Sequence, residues 1–244
     1  MLNSELDDFF RAMSRFLTGE RDLQDSLLAL GASPSSEEQF HWYRQMVSTN
    51  PDRLLASVYD IVKVNAGDDV FQRCCQFHME SKESFHWDIA QLALDFASSV
   101  ESVCDQDPVI PYTLALLADW EELLFRLRTF ASEPMTENGL NPTVEVRQYT
   151  HDVRGYRRAV RAGDTDATME ERPVTYIAFR HHQTSRIQVF VPTLPELLLV
   201  AWAKKELDSE DLQDVELPEG AMDAAMLGLK KKTVFGAKFV GPRL

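Results

Sequence analysis

Two histidines and two glutamates lie close together in the sequence and belong to the residue types that bind metal ions. His78 and His86 flank Glu80 and Glu83. Residues eight apart on a helix are separated by about 12 Å along its axis, which is too far for both to bind one ion. We therefore expect no metal site here, and we interpret these residues as partly solvated helix and loop positions.

The three cysteines, Cys74, Cys75 and Cys104, are candidate nucleophiles. A reactive thiolate needs a basic neighbour or a helix N-terminus. Arg73 is adjacent to Cys74, but residues one apart on a helix do not face each other. Because free cysteine is among the most often buried residue types, we expect Cys74 and Cys75 to be small core residues. The odd count, with no CxxC pair, indicates a reducing compartment.

Motifs of several common enzyme classes do not occur in the sequence. It contains no GxSxG, GxxxxGKS/T, GxGxxG or HExxH, which mark hydrolases, nucleotide-binding enzymes and zinc proteases. We therefore predict no catalytic residue, no metal ligand and no cofactor in this chain.

Arginine is concentrated in the second part of the chain. Between Val144 and Val191 there are eight arginines and no lysine. The planar guanidinium group binds carboxylates through two parallel hydrogen bonds, which an ammonium group cannot do. An arginine-bordered sheet edge would suit an extended acidic peptide that adds one strand to the sheet. The alternative is a solvated charged face that protects the edge from aggregation.

The predicted peptide-binding surface is a β-hairpin. Residues 174–180 and 186–191 are rich in β-branched and aromatic residues, and residues 181–185 form a short loop between them. Adjacent residues of an extended chain point to opposite faces, so we do not expect His181 and His182 to bind one metal ion together. The residues predicted to contact the peptide are Tyr176, Phe179, Arg180, His181, His182, Arg186 and Gln188.

The elements that position this hairpin follow from hydrophobic spacing. Apolar residues recur every three to four positions through most of residues 1–130, which predicts helices, including one over residues 86–103. Gly67-Asp68-Asp69 and Pro111 indicate helix starts. From Val144 the period changes to two, which predicts strands, including an extended piece around Val153–Val160.

A helix start follows the hairpin. Thr193 and Glu196 have the spacing of a capping box, and a last helix is predicted at about residues 219–229. The fold class is therefore predicted as α+β. We assign residues 1–132 to an all-α domain, residues 133–143 to a linker that contains two prolines, and residues 144–244 to a small domain of β-sheet plus helices.

The charge is distributed unevenly. The net charge is −14, and residues 1–140 carry all of it, with 24 acids and 10 bases. An acidic chain repels nucleic acid backbones. The N-terminus has no basic region followed by an apolar stretch, and no apolar run approaches the roughly 18 residues of a membrane helix. We predict a cytoplasmic protein with no nucleic-acid and no membrane partner.

Four helical motifs resemble a known family. They are HWYRQM at residues 41–46, PDRLLASVY at residues 51–59, GDDVF at residues 67–71 and PYTLALLADWE at residues 111–121. In order and spacing they resemble the small subunits that accompany methanobactin-type multinuclear iron oxygenases. The family's FPV after the second helix is replaced here by Tyr59-Asp60-Ile61, and Trp120 and Glu121 occur in the opposite order.

The resemblance implies a non-catalytic partner subunit. Its C-terminal domain would be similar to the leader-peptide recognition elements of ribosomal peptide (RiPP) biosynthesis. The partner would be a TIM-barrel oxygenase that holds the iron and oxidises a cysteine of the bound precursor or carrier peptide, the two proteins forming a heterodimer. Within the family the chain most resembles the subunit of thiaglutamate-type natural product biosynthesis, in which a cysteine added to a scaffold peptide loses its β-carbon.

Two other classes of function remain open at this point. A winged-helix-type DNA-binding regulator would need positive charge on the helix that enters the groove. The predicted helix at residues 194–207 instead carries Lys204 and Lys205 against Glu196 and Glu206. A standalone enzyme whose site is assembled from distant residues is the third possibility.

Overall fold

The computed structural model describes residues 51–81, 89–130, 133–213 and 215–242. These residues contain eight complete helices and a three-stranded antiparallel sheet, and residues 51–58 are also helical. The predicted α+β class is confirmed. Contacts between residues divide the chain into two compact units, Met1–Glu122 and Leu123–Leu244. The predicted limits of the domains and linker stay a prediction, and the motif at residues 41–46 lies outside the described residues.

The described part of the first unit consists of helices and the turns between them. Its helices are α1 (Asp60–Glu80), α2 (Ile89–Leu92), α3 (Phe96–Gln106) and the first part of α4 (Thr113–Thr129). Gly67 has φ 72° and ψ 166°, so it interrupts α1 with a backbone conformation that favours glycine. A new helical stretch therefore begins where Gly67-Asp68-Asp69 predicted one. The helix predicted after Pro111 is also confirmed.

The single helix predicted over residues 86–103 is wrong in its described part. A turn at residues 93–95 separates α2 from α3, and Asp95 has φ 64°. In a continuous helix the carbonyl of Ala93 would accept from the N–H of Ala97. Here the Tyr59 hydroxyl donates to the Ala93 carbonyl at 2.5 Å, and the Glu122 carboxylate accepts from the Ala97 N–H at 3.1 Å. Tertiary partners therefore replace the helical hydrogen bond.

Helix α4 supplies two buried carboxylates to the starts of other helices. Glu121, 1% exposed, accepts from the backbone N–H groups of Ile61 and Val62, both at 3.1 Å. Glu122 does the same for α3 and also accepts from the Tyr59 hydroxyl at 3.2 Å. The first N–H groups of a helix have no partner within the helix, so these side chains cap α1 and α3 from a distance.

The second unit contains the sheet. Its elements are the end of α4, β1 (Glu145–Tyr149), α5 (Val153–Arg161), β2 (Val174–Arg180), β3 (Ile187–Phe190), α6 (Leu194–Ala203), α7 (Ser209–Gln213) and α8 (Ala221–Lys231). The strand order is β1-β2-β3, and both neighbouring pairs are antiparallel. The hairpin predicted at residues 174–191 is confirmed, as is the helix predicted near residues 219–229.

The extended piece predicted around Val153–Val160 is wrong, because these residues form helix α5. The Asp152 side chain accepts from the Gly155 N–H at 2.8 Å, which is the bond of a helix N-cap. Only Val153 of this helix is buried. Apolar spacing therefore carried little information about α5, and the cap decides where it starts.

One face of the sheet packs against α6 and α8. Ile177 and Phe179 of β2 share a core with Leu199, Val200 and Leu229. The predicted capping box of α6 is confirmed: the Thr193 hydroxyl accepts from the Glu196 N–H, and the Glu196 carboxylate accepts from the Thr193 N–H. No helix within the described ranges has both the length and the hydropathy needed to cross a membrane.

Candidate functional site

The turn of the β2–β3 hairpin determines which backbone groups of β3 point outward. The N–H of His181 donates to the carbonyl of Arg186 at 2.8 Å, and the N–H of Ser185 donates to the carbonyl of His181 at 2.8 Å. Ser185 has φ 54°, which closes this turn. In an antiparallel ladder, hydrogen-bonded pairs alternate. With 181 and 186 as such a pair, the N–H and carbonyl groups of Ile187 and Val189 point away from β2.

This outer edge of β3 has no further strand beside it in the part of the chain that the structure describes. All four residues of β3 are partly exposed. Arg186 precedes the strand and Val191 follows it, the latter 59% exposed. Among the described residues, the edge therefore presents unpaired backbone donors and acceptors between a cationic and an apolar side chain.

Five of the seven predicted peptide-binding residues are accessible. His182 and Arg186 are exposed, and Arg180, His181 and Gln188 are half-buried. Phe179 is 0% exposed and belongs to the core, and Tyr176 is 3% exposed. A peptide laid along the sheet would not reach either of these two rings, because both lie inside the packed sheet.

A cleft of about 610 Å³ lies at the hairpin end of the sheet. Its lining includes Arg180, His181 and His182 from the hairpin, and Glu133 and Pro142 from the segment that precedes β1. The two histidine rings stack with their centroids 5.4 Å apart and their planes at 2°. The structure thus brings together three of the residues that the sequence proposed, although it places them against a chain segment that the sequence did not connect with them.

Asn141 ties this segment to the sheet. Its side chain is 1% exposed, and its amide nitrogen donates to the carbonyls of Arg180 and Thr233 at 3.0 and 3.4 Å. Its oxygen accepts from the N–H and hydroxyl of Thr143 at 3.0 and 2.7 Å. The Thr143 hydroxyl in turn accepts from the Arg180 N–H at 2.9 Å. Sequence reasoning missed Asn141, since an asparagine in a Gly-Leu-Asn-Pro segment is typical of any loop.

A second polar cluster supports β2 from α5. The Asp152 carboxylate accepts from the Tyr176 hydroxyl at 2.7 Å and forms an ion pair with Arg172. Burial raises the pKa of Asp152, but the hydrogen bonds from Tyr176 and Gly155 and the Arg172 charge outweigh it, so the pKa lies below its ordinary value. Burial and the bond to Asp152 raise the pKa of Tyr176. Tyr176 is therefore a structural hydrogen-bond donor at neutral pH.

Lys232 connects β3 with α6. Its ammonium group pairs with the Glu196 carboxylate and lies 4.0 Å from the centroid of the Phe190 ring. Burial raises the pKa of Glu196, but the hydrogen bonds from Lys232 and Thr193 outweigh it and hold the pKa below its ordinary value. This cluster fixes the far end of β3, so the whole strand is held at a defined position on the helices.

The cysteines are not activated. Cys74 and Cys75 are each 1% exposed, which confirms the prediction that they are core residues. Burial raises the pKa of Cys74 to about 11 and that of Cys75 to about 12. Burial also raises the pKa of Cys104. Thiols with such pKa values stay protonated at neutral pH and are poor nucleophiles.

His78 differs from its predicted position. It was expected to be partly solvated, but it is 0% exposed. Its ring nitrogens lie 2.8 Å from the Ser99 hydroxyl and 2.8 Å from the Leu92 carbonyl, and its ring meets Phe96 edge-on. His86 and Glu83 lie outside the described residues. Within those residues, no group of three or more metal-binding side chains is close enough together to hold an ion.

No protein-family model matches the chain, and no curated protein is significantly similar to it in sequence. The interpretation of the hairpin therefore depends on its geometry and on the chemistry of its side chains.

Proposed function

We propose that this chain is a non-catalytic subunit that binds a ribosomally made precursor or carrier peptide and presents its cysteine to a multinuclear non-haem iron oxygenase. The observation that carries the proposal is the unpaired edge of β3 beside Arg186 and the His181–His182 loop. The oxygenase partner and the thiaglutamate-type chemistry follow from the motif resemblance. The edge itself supports the peptide-binding part.

Strand addition is the binding mode that this edge favours. The outward N–H and carbonyl groups of Ile187 and Val189 would pair with an extended peptide, and such main-chain bonds supply affinity without demanding a particular sequence. Val191 and Leu194, 59% and 55% exposed, extend the edge with apolar surface. Alternate side chains of the peptide would meet these residues and supply the specificity.

The cationic side chains beside β3 determine which charge the bound peptide should carry. Arg186 is exposed and forms no ion pair within the described residues, so a carboxylate of the peptide can take a bidentate position on it. Arg180 and the two histidines continue the polar surface into the cleft. We therefore expect the bound segment to combine acidic and apolar residues.

Holding the peptide's leader on this edge would raise the effective concentration of the reacting cysteine at the partner's iron centre. Tethering of this kind reaches the millimolar range for short flexible linkers, without any chemistry from the tethering protein. In this proposal the chain contributes only peptide binding at the β3 edge, and the partner contributes the chemistry.

The test uses a synthetic strand of alternating valine and glutamate, about ten residues long, as a fluorescent probe. Arg186→Ala should weaken its binding at least about tenfold, the loss expected for a charge-assisted bidentate pair. A probe with alternate amides N-methylated should not bind, because it cannot pair with β3. Arg154→Ala, at an exposed arginine on α5, is the matched control. If wild type and Arg186→Ala bind the probe equally, or if both probes bind equally, the peptide-binding role of the β3 edge is refuted.

The partner is tested separately. The chain is co-expressed with the iron oxygenase encoded nearest to it, and each chromatographic peak is analysed for iron. Co-elution, with iron confined to the complex and the oxygenase, is the expected result. Separate elution of the two proteins at micromolar concentrations contradicts the heterodimer. Peptide binding at the β3 edge is then tested only by the fluorescent-probe experiment.

A further inference from the structure

A groove lined mainly by apolar side chains lies in the second unit, in a part of the fold that the hairpin does not use. We call it the methionine groove; its volume is about 820 Å³, and its apolar lining includes Leu199, Leu212, Val215, Leu217, Met222 and Met226. Helices α6, α7 and α8 contribute to the lining, and no residue of β1, β2 or β3 does. An incoming strand would therefore find no sheet edge here.

The groove is lined by buried leucines and by partly exposed methionines. Leu199 and Leu212 are 1% and 2% exposed, whereas Met222 and Met226 are partly exposed. These methionines are four apart on α8 and so lie on one face of the helix. Methionine is unbranched and polarizable, which suits surfaces that must adapt to a partner. A Cβ at Gly241 would lie 2.6 Å from the Met226 methyl carbon, so this methionine packs against the C-terminal segment.

The chain segment that supplies most of the groove's lining is acidic. From Glu206 to Leu229 the chain has eight acids and no base. Asp223 lines the groove, and Glu216 and Glu219 are next to lining residues. All three are exposed, and none of them forms an ion pair within the described residues. We call Asp223, together with the exposed sequence neighbours Glu216 and Glu219, the acidic rim of the groove. Apolar lining side chains beside such carboxylates would attract a partner that is apolar on one side and cationic on the other.

We propose that the methionine groove binds a basic amphipathic helix of a partner protein. Helices that lie in apolar grooves use residues at positions i, i+3, i+4 and i+7 as anchors, and the lysines or arginines beside these anchors would meet Glu216, Glu219 and Asp223. The chain's own first twenty residues have an apolar stripe of this spacing, but they carry four acids against two bases. The acidic rim would repel them, just as it would repel nucleic acid or an anionic lipid surface.

The probe is a labelled leucine–lysine helix of roughly 18 residues, about five turns, with leucines at the anchor positions. Two matched probes accompany it: a scrambled peptide of the same composition and a leucine–glutamate helix. With the full chain, we expect binding of the first probe with a gain of helical signal. The other two should bind at least about tenfold more weakly, since one lacks the apolar stripe and the other has the wrong charge.

Two substitutions test the site itself. Met226→Gln removes apolar contact from the wall, and Glu219→Lys reverses the charge of an exposed rim residue without touching the core. Each should weaken binding at least about fivefold, a difference of about 1 kcal/mol. Leu227→Gln, on the same helix, 56% exposed and not part of the lining, should leave binding unchanged. Arg186→Ala should also have no effect, because the groove does not involve the edge of β3.

Three results would overturn the proposal. Equal binding of the ordered and scrambled peptides would mean that only charge is sensed. An equal effect of Leu227→Gln and Glu219→Lys would place the peptide elsewhere on the chain. Self-association in sedimentation experiments that Met226→Gln abolishes would assign the groove to a second copy of this chain.

Discussion

Removing the Asn141 side chain should strongly destabilise the second unit. The side chain is 1% exposed and takes part in four hydrogen bonds with Arg180, Thr233 and Thr143. Asn141→Ala leaves the Thr233 carbonyl and the Thr143 N–H without these partners at part-buried positions. A buried polar group left without a partner costs about 1–3 kcal/mol, so we expect a total loss of about 3 kcal/mol.

The loss is measured by urea unfolding followed by circular dichroism. About 3 kcal/mol is a large part of the 5–15 kcal/mol that typical proteins have, so the midpoint should fall clearly. Asn138→Ala is the matched control, because Asn138 is exposed in the same segment. Its effect should stay within about 0.5 kcal/mol.

Hydrogen exchange gives a local check on the same reasoning. The Arg180 N–H donates to the Thr143 hydroxyl, whose position depends on Asn141. Exchange at the Arg180 amide should therefore accelerate in Asn141→Ala but not in Asn138→Ala. The reasoning is refuted if both variants unfold at the same urea concentration and Arg180 keeps its protection.

Three further predictions concern stability and reactivity. The pKa of Glu196 is held below its ordinary 4.5 in the folded chain, so its charge stabilises the fold above that pH and the contribution disappears as the pH falls through the folded pKa; the stability difference between wild type and Glu196→Gln, from urea titrations, should shrink on acidification. Cys74, Cys75 and Cys104 should resist a disulfide reagent at neutral pH until the chain unfolds, as followed by absorbance. Glu121→Ala should cost about 2 kcal/mol in urea unfolding, because two buried N–H groups lose their partner.

Each of these has a clear contrary outcome. A stability difference for Glu196→Gln that grows at acidic pH would mean that the carboxyl is not favoured in its charged form. Rapid thiol modification of the native chain would show that the cysteines are accessible. Glu121→Ala without effect would show that the start of α1 does not depend on the carboxylate from α4.

Local sequence signals were reliable where nearby residues determine the backbone conformation and its hydrogen bonds. Gly67 predicted the interruption of α1, and Thr193 with Glu196 predicted the start of α6; both are confirmed. The β-branched and aromatic residues at 174–180 and 186–191 predicted the hairpin with nearly its observed limits. In these cases the deciding contacts are made between residues only a few positions apart, so the sequence contains the necessary information.

Local reasoning failed where distant residues compete for backbone groups. Residues 86–103 have helical spacing, but Tyr59 and Glu122 take the carbonyl of Ala93 and the N–H of Ala97. Helix α5 was predicted as extended because the apolar period that identifies helices is nearly absent from its sequence. The structure explains this absence, since α5 buries only Val153.

The sequence by itself determined the α+β class, the hairpin, the inert cysteines and the concentration of arginine in the second part of the chain. Only the tertiary structure decided which candidates face solvent. It buried Phe179, Tyr176 and His78, left Arg186 exposed at the edge, and connected Asn141 with a strand that follows it by almost forty residues. The physical reason is that side-chain type and spacing encode local propensity, whereas burial and hydrogen-bond partners depend on packing between segments that the sequence keeps far apart.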